Sequence, residues 1–303
     1  MWLDIQIFGF RALWSPYYFL FVLGMAIIYY LMTGPYRHKF GGGNESRPSR
    51  KQQAFFYSGM VLLYAVKGAP VDLLSHMMLT AHMIQMAIYY LIVPIFIIKG
   101  IPAWLWRKVV CRPKIKPILM FLSKPLISIL LFNILFSFYH LPAIFDFAKS
   151  SQVAHTSISL VILIAAFIVW WPVLTPIKEF DRMPPLGKIF YILPTGVLIT
   201  PACVLIIFAN APVYAAYTEN GAWMQALALC VPSGVLEGIS YSISGPEMFS
   251  PMSTMEDQQL GGIIMKLMQE ITYGTVLARV FLDGLRGKVS KWIRFRRVKN
   301  EEL

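Results

Sequence analysis

The chain has 303 residues, of which 57% are hydrophobic and 14% are charged, and its mean hydropathy is +0.60. This composition indicates an integral membrane protein whose main solvent is lipid. The formal net charge of +12 is compatible with binding to nucleic acid. Whether the basic residues serve that purpose or set the membrane topology depends on where they lie in the chain. The three cysteines are widely spaced and form no CxxC or zinc-binding pattern.

Seven apolar stretches are long enough to cross the hydrocarbon core as helices. Lipid offers no hydrogen-bond partners, and a helix pairs its backbone N–H and C=O groups within one segment. Pro, Gly and charged residues separate the seven stretches. They predict an all-α membrane protein, a seven-helix transmembrane bundle that forms a single domain over residues 1–303. The predicted spans are 16–33, 53–69, 72–98, 118–141, 156–176, 189–209 and 258–283.

Basic residues orient this predicted bundle. The connections 34–52, 99–124 and 178–188 and the tail 286–299 hold five, seven, three and seven Lys and Arg, which together are 22 of the 27. Because basic loops stay on the cytoplasmic side, we predict an outer N-terminus and a cytoplasmic C-terminus, with His38 in a cytoplasmic loop. The positive charge then faces anionic membrane lipids, and nucleic acid is not expected as a partner.

The segment 210–256 is predicted to be a long outer loop. Residues 222–242 within it are moderately apolar, but they include Pro232, Gly234 and Glu237. A crossing there would also place the basic tail outside, against the charge rule. We therefore predict a helix that lies on, or dips into, the membrane surface.

The most distinctive stretch of the chain lies at the start of the third predicted span. On one continuous helix Met78, His82 and Met86 share a face. Imidazole and thioether together suit Cu(I), and an ionisable residue inside a membrane is a functional-site hypothesis by default. Methionine also fills apolar cores, so packing and metal binding both stay open. Eleven residues here contain two histidines and four methionines: His76, Met77, Met78, His82, Met83 and Met86.

The predicted topology brings further polar residues to the same outer depth. His140 ends the fourth span, His155 opens the fifth, and Asp257 opens the seventh. With His76 and His82 they come from four helices and form a candidate metal site. Each of the three also has a structural interpretation, His140 and His155 as helix-end residues and Asp257 as a cap of its own helix.

The sequence gives little support to catalysis. It contains no GxSxG, HExxH or Walker pattern. Thioethers outnumber carboxylates near the histidines, whereas a hydrolytic zinc site favours histidines, carboxylates and an open water position. We therefore expect a protein that is not an enzyme.

Five short stretches in spans three to seven carry a resemblance to a known family. They are AHMIQM at 81–86, GIP at 100–102, HLPAIFD at 140–146, WWPVL at 170–174 and EDQQLGG at 256–262. In these stretches the chain resembles the CtaG-type assembly factors of caa-type cytochrome c oxidase. The resemblance implies a seven-helix membrane fold and a role in delivering copper to the oxidase, or in maturing its copper centre, on the outer side.

The resemblance also reaches individual residues. It extends to His82, Met83, His140, His155 and Asp257. Two positions depart from the pattern of many members: Met86 stands in place of a second histidine, and Ser159 stands where another histidine is common. Both departures make the site softer and poorer in imidazole.

These observations lead us to expect an assembly factor that holds Cu(I) at His82 with Met83 or Met86. The expected partners are the catalytic subunit of the oxidase and a copper donor on the outer face. Two other classes stay open: an electron-transfer protein with haem between His82 and His140 or His155, and a copper or solute permease. The remaining candidate ligands are His76, Met78, His140, His155 and Asp257.

Overall fold

The structure, a computed structural model, describes the backbone of residues 2–43, 45, 47–239, 243, 245–250 and 252–301, and its described side chains lie between residues 4 and 286. This part of the chain is helical and contains no strand, as predicted. The α-helices are α1 (Trp2–Ile5), α2 (Gly9–Trp14), α3 (Pro16–Thr33), α4 (Arg50–Lys67), α5 (Pro70–Met77), α6 (Leu79–Met86), α7 (Val93–Gly100), α8 (Ala103–Val110), α9 (Ile115–Leu122), α10 (Pro125–Tyr139), α11 (Pro142–Ser150), α12 (Gln152–Leu174), α13 (Pro185–Ile207), α14 (Ala215–Thr218), α15 (Asn220–Leu227), α16 (Ser233–Ile239) and α17 (Thr254–Glu301).

Local sequence signals fix where several of these helices begin. Proline occupies the first turn of α3, α5, α10, α11 and α13, where its missing N–H has no intrahelical partner to lose. Helix α4 begins with a capping box in which Ser49 and Gln52 exchange side-chain and backbone hydrogen bonds. Most helix starts agree with the predicted spans to within a few residues. The fourth span, predicted over 118–141, is wrong as a single helix, because α9 ends at Leu122 and α10 begins at Pro125 after a bend of 80°.

The long helices pack side by side in a bundle. The continuous segment α6–α7 contacts α17 and α12, while α10 contacts both α12 and α13, and α13 packs along α17. These contacts close a ring around a large apolar core, and α4 and then α3 pack outside α7. A π-helical segment, Ala87–Ile92, joins α6 to α7.

Short helices cover one end of this bundle. We call α1, α2, α5, α11 and α14–α16 the end layer; they contact one another and the starts of α6 and α12. The predicted outer loop folds into three of these short helices instead of one surface helix. Residues 240–242, the end of the predicted surface helix, lie outside the described residues. The opposite end, which we call the basic end, carries the connections 34–49, 101–124 and 175–184.

The third predicted span is wrong in one respect. Residues 72–98 do not form one helix, because Met78 is extended, with φ −136° and ψ 136°, and separates α5 from α6. Helix α5 instead follows α4 at a bend of 42°. The face proposed for Met78, His82 and Met86 therefore loses its first member, since Met78 is not helical.

Four helical segments of the described chain are long and apolar enough to cross a membrane: Gln6–Thr33, Leu79–Gly100, Gln152–Leu174 and Pro185–Ile207. The bent pairs α4 with α5 and α9 with α10, at 42° and 80°, bring the number to six when each pair is one span. Helix α17 covers the predicted seventh span but carries Lys266 and Glu270 within it. The seven-span count and the orientation of the termini stay predictions.

Candidate metal-binding site

The break at Met78 is held by a carboxylate from the far end of the chain. Asp257 on α17 accepts hydrogen bonds from the backbone N–H groups of Leu79 (2.6 Å) and Thr80 (3.2 Å), and the Thr80 hydroxyl donates to the backbone carbonyl of Asp257 (2.9 Å). The first N–H groups of a helix have no intrahelical acceptor, so Asp257 caps α6 from a neighbouring helix. Both of its carboxylate oxygens are used in this way.

The rest of the EDQQLGG stretch also fastens α17 to its neighbours. The Gln258 amide accepts from the Val213 N–H (2.8 Å) and donates to the Ile206 carbonyl (3.1 Å). A methyl group at Gly261 would lie 3.1 Å from the backbone nitrogen of Thr80, so the absence of a side chain lets the two backbones approach. The EDQQLGG stretch therefore has a structural role, because it holds the first turn of α6 in place.

His82 lies one turn into α6 and is 1% exposed. Its ring packs edge-on against Phe145, with centroids 5.1 Å apart, and faces Tyr139 at 6.0 Å. Among the residues that the structure describes, neither ring nitrogen has a hydrogen-bond partner. Buried polar atoms are normally paired, and an exception requires a specific explanation such as a bound ion or water.

His140 and Tyr139 close the end of α10 beside His82. The Nδ1 atom of His140 lies 2.7 Å from the Phe136 carbonyl, and the Tyr214 hydroxyl donates to the His140 carbonyl at 2.8 Å. The remaining ring nitrogen of His140, Nε2, is buried with no partner within the described chain, and so is the Tyr139 hydroxyl. The Nδ1 contact fixes the ring and leaves Nε2 free to bind a ligand.

His76 and His155 form a second pair of rings next to a buried cation. Their centroids lie 5.4 Å apart. Lys149 on α11 is 1% exposed, and its ammonium lies 3.3 Å from His76 Nδ1 and donates to the Ser75 carbonyl at 3.2 Å. The Nδ1 atom of His155 has no hydrogen-bond partner in the described residues. Burial and repulsion by Lys67 lower the pKa of Lys149 to about 7.

The methionines divide between two apolar clusters. Met83 and Met86 are buried in the main core of the bundle, on the same helix as His82. Met77 and Met78 pack into a separate cluster formed with the end layer. The structure therefore brings Met83 and Met86 near His82 along one helix and directs Met78 toward other neighbours.

The candidate histidines meet where the end layer contacts the bundle. His76, His82, His140 and His155 come from four elements, α5, α6, the end of α10 and α12, whereas the predicted spans put His76 and His82 on one helix. His38 is exposed at the basic end. Across the described residues, no three His, Cys, Asp or Glu side chains are close enough to hold a metal ion. A metal ion bound here would therefore be coordinated by few ligands, and these would be imidazole and thioether groups.

Sequence reasoning missed several residues that build this junction. The sequence does not distinguish Lys149 from the other basic residues of the connections, although it is buried beside His76 and His155. Asp146 caps α14 by accepting from the Ala215 and Ala216 N–H groups, and Gln85 donates to Val66 and Asp72. The HLPAIFD and AHMIQM stretches contain Asp146 and Gln85, so the family motifs themselves were the available signal.

Comparison with known proteins identifies the family. The profile described as cytochrome c oxidase caa3 assembly factor (Caa3_CtaG) matches residues 19–286. No curated protein and no solved structure matches the chain. The match covers every element that builds the junction of α6, α10, α12 and α17. The chain therefore belongs to the family of cytochrome c oxidase caa3 assembly factors.

Proposed function

We propose that this assembly factor binds Cu(I) at the junction around His82 and passes it to the copper centre of the oxidase. The family indicates a role in assembling the oxidase, in a membrane, and an interaction with it. Copper as the cargo, the His/Met ligand set and the transfer step are the proposal. On the predicted orientation the site faces the outer side of a bacterial cell membrane.

One observation supports the proposal most directly. His82 is buried with both ring nitrogens unpaired, and the nearby His140 and His155 each keep one unpaired buried nitrogen among the described residues. His82 lies within electrostatic range of both of these histidines, although among the described residues no three His, Cys, Asp or Glu side chains are close enough to share one ion, so the proposal requires the thioethers as further ligands. An unpaired buried nitrogen costs free energy, and a bound cation that accepts its lone pair removes that cost.

The surroundings favour a soft monovalent ion. Met83 and Met86 follow His82 on α6, with Met86 four residues on and therefore on the same face. Thioether with imidazole selects Cu(I) over hard cations. The carboxylate of Asp257, which a hard ion would prefer, is already engaged by backbone N–H groups. His76 offers a weaker position, because the Lys149 ammonium lies against its Nδ1 atom.

A small ligand set suits transfer better than storage. Because few donors hold the ion, the catalytic subunit of the oxidase can replace them one at a time. A copper donor on the outer face would load the site in the reverse manner. This role requires no chemical conversion, which agrees with an assembly factor that is not an enzyme.

Metal analysis of the purified protein tests the proposal. We expect His82→Ala to lose most of the bound copper, Met86→His to retain it, and the matched control His38→Ala at the basic end to behave as wild type. Unchanged copper in His82→Ala would remove α6 from the site. A visible haem spectrum in the wild-type protein would favour the electron-transfer alternative instead.

A cellular experiment tests delivery. Cells that lack the protein should make oxidase polypeptides that are short of copper, and excess copper should restore part of the activity by mass action. His82→Ala should resemble the deletion, and His38→Ala should not. An oxidase with full copper but no haem in the deletion strain would contradict copper delivery.

A further inference from the structure

A second polar site lies at the basic end, the end of the bundle opposite to the histidines. A cavity of about 530 Å³ opens between α4, α7, α12, α13 and α17. Four cations line it, Lys51, Lys99, Lys188 and Arg279, together with two acids, Asp181 and Asp283. The lining therefore carries a formal excess of two positive charges.

The two acids are each matched to a cation of their own. The Lys188 ammonium lies 2.7 Å from the Asp181 carboxylate, and the Arg279 guanidinium lies 4.0 Å from the Asp283 carboxylate. Lys188 also donates to the Val173 carbonyl. These pairs leave the excess charge on the remaining two lysines.

Lys99 and Lys51 have no carboxylate partner in the described part of the chain. The Lys99 ammonium lies 5.8 Å from the centre of the Phe55 ring, which attracts it only weakly. Lys99 is half-buried at the end of the segment Leu79–Gly100. The charges of Arg279 and Lys51 repel it, and Asp283, which is paired with Arg279, attracts it from beyond ion-pair distance. A half-buried cation next to like charges is stabilised when an anion enters.

The backbone around the cavity also favours an anion. Helix α4 begins at Arg50 and α13 begins at Pro185, so two helices start at the cavity. The positive end of each helix dipole adds to the field of the lysines. Val276 and Val280 line the same cavity, so an apolar group attached to the anion would find contacts there as well.

We propose that this cavity binds a phosphate group between Lys51 and Lys99. The group is carried either by the headgroup of an anionic phospholipid or by a soluble phosphate compound. This cavity shares no residue with the proposed copper site, so the two proposals can be tested independently.

The test uses the purified full-length protein in neutral detergent, titrated with phosphatidylglycerol. Wild type should bind the lipid saturably, and diacylglycerol, which lacks the phosphate, should not bind in the same way. The double variant K51Q/K99Q should bind phosphatidylglycerol about thirtyfold more weakly, since each basic residue near an anionic lipid contributes about fivefold and the two factors multiply. K51R/K99R keeps the charge and should bind as wild type does.

The matched control is K39Q/K114Q, which removes the same charge from two exposed lysines at the same end that do not line the cavity. Equal weakening in both glutamine variants, or equal binding of diacylglycerol, would overturn the proposal. Competition identifies the source of the phosphate: displacement of the lipid by inorganic phosphate supports a soluble compound, and retention supports the phospholipid. If K51Q/K99Q unfolds, loss of binding in folded K51R/K99R would contradict the site.

Discussion

The two ends of the bundle use polar residues in opposite ways. Where the end layer meets the bundle, Asp257, Lys149 and Gln85 are buried and bonded to backbone groups of distant segments. At the basic end the ion pairs join exposed or half-exposed side chains around an open cavity. The first arrangement holds the surroundings of the histidines rigidly, and the second keeps charged groups accessible to a ligand that binds reversibly.

The largest effect is expected from Asp257→Ala. The change leaves the N–H groups of Leu79 and Thr80 buried without acceptors, and each such group costs about 1–3 kcal/mol. We therefore expect the free energy of unfolding to fall by about 2–6 kcal/mol in the copper-free protein. Thermal unfolding in detergent measures it, and Asp257→Asn, which keeps one acceptor oxygen, should fall in between. Lost copper with unchanged unfolding would make Asp257 a ligand instead of a cap.

The next effect concerns Lys149 and depends on pH. Burial lowers its pKa from an ordinary value of 10.5 to about 7. Between these values the unfolded chain binds more protons than the folded chain, so stability rises as the pH rises through this window. We expect the melting temperature of copper-free wild type to increase by several degrees between pH 7 and 10 relative to Lys149→Met, which keeps the apolar stem. Parallel pH profiles for the two proteins would refute the lowered pKa of Lys149 in the folded state.

The smallest change in stability is expected from Asp181→Asn at the basic end. Asp181 is 45% exposed, and an exposed ion pair contributes about 0–1 kcal/mol. Its partner Lys188 also keeps the Val173 carbonyl. The same substitution removes a negative charge from the cavity, so phosphatidylglycerol should bind more tightly. A large loss of stability would show that the basic end is as rigid a frame as the opposite end.

The sequence predicted an all-helical membrane protein because hydropathy and the residues that end helices are local signals. The seven-span count and the orientation stay predictions, but the expectation that His76, His82, His140 and His155 lie at one end of the bundle agrees with their positions. The break at Met78 was not predictable in this way. It depends on the carboxylate of Asp257, which lies 178 residues from Leu79 along the chain.

Burial of individual polar residues was the second limit of the sequence. Lys149 lies in a short polar connection, and charge counting assigns such a lysine to solvent. Its burial depends on the Ser75 carbonyl and the rings of Phe145 and Tyr217, which three separate segments supply. The Asp257 case is similar, since a local pattern predicts a cap of its own helix, whereas Ser253 and Glu256 form that cap.

The cap on α6 also sets an order for synthesis. Helix α6 leaves the ribosome early, but the carboxylate that fixes its first turn belongs to α17 and is made 178 residues after Leu79. N-terminal segments fold first during synthesis, so α6 must wait for the start of α17 before its own start is held in place. A truncated chain that lacks α17 would therefore present its histidines without the frame that positions them.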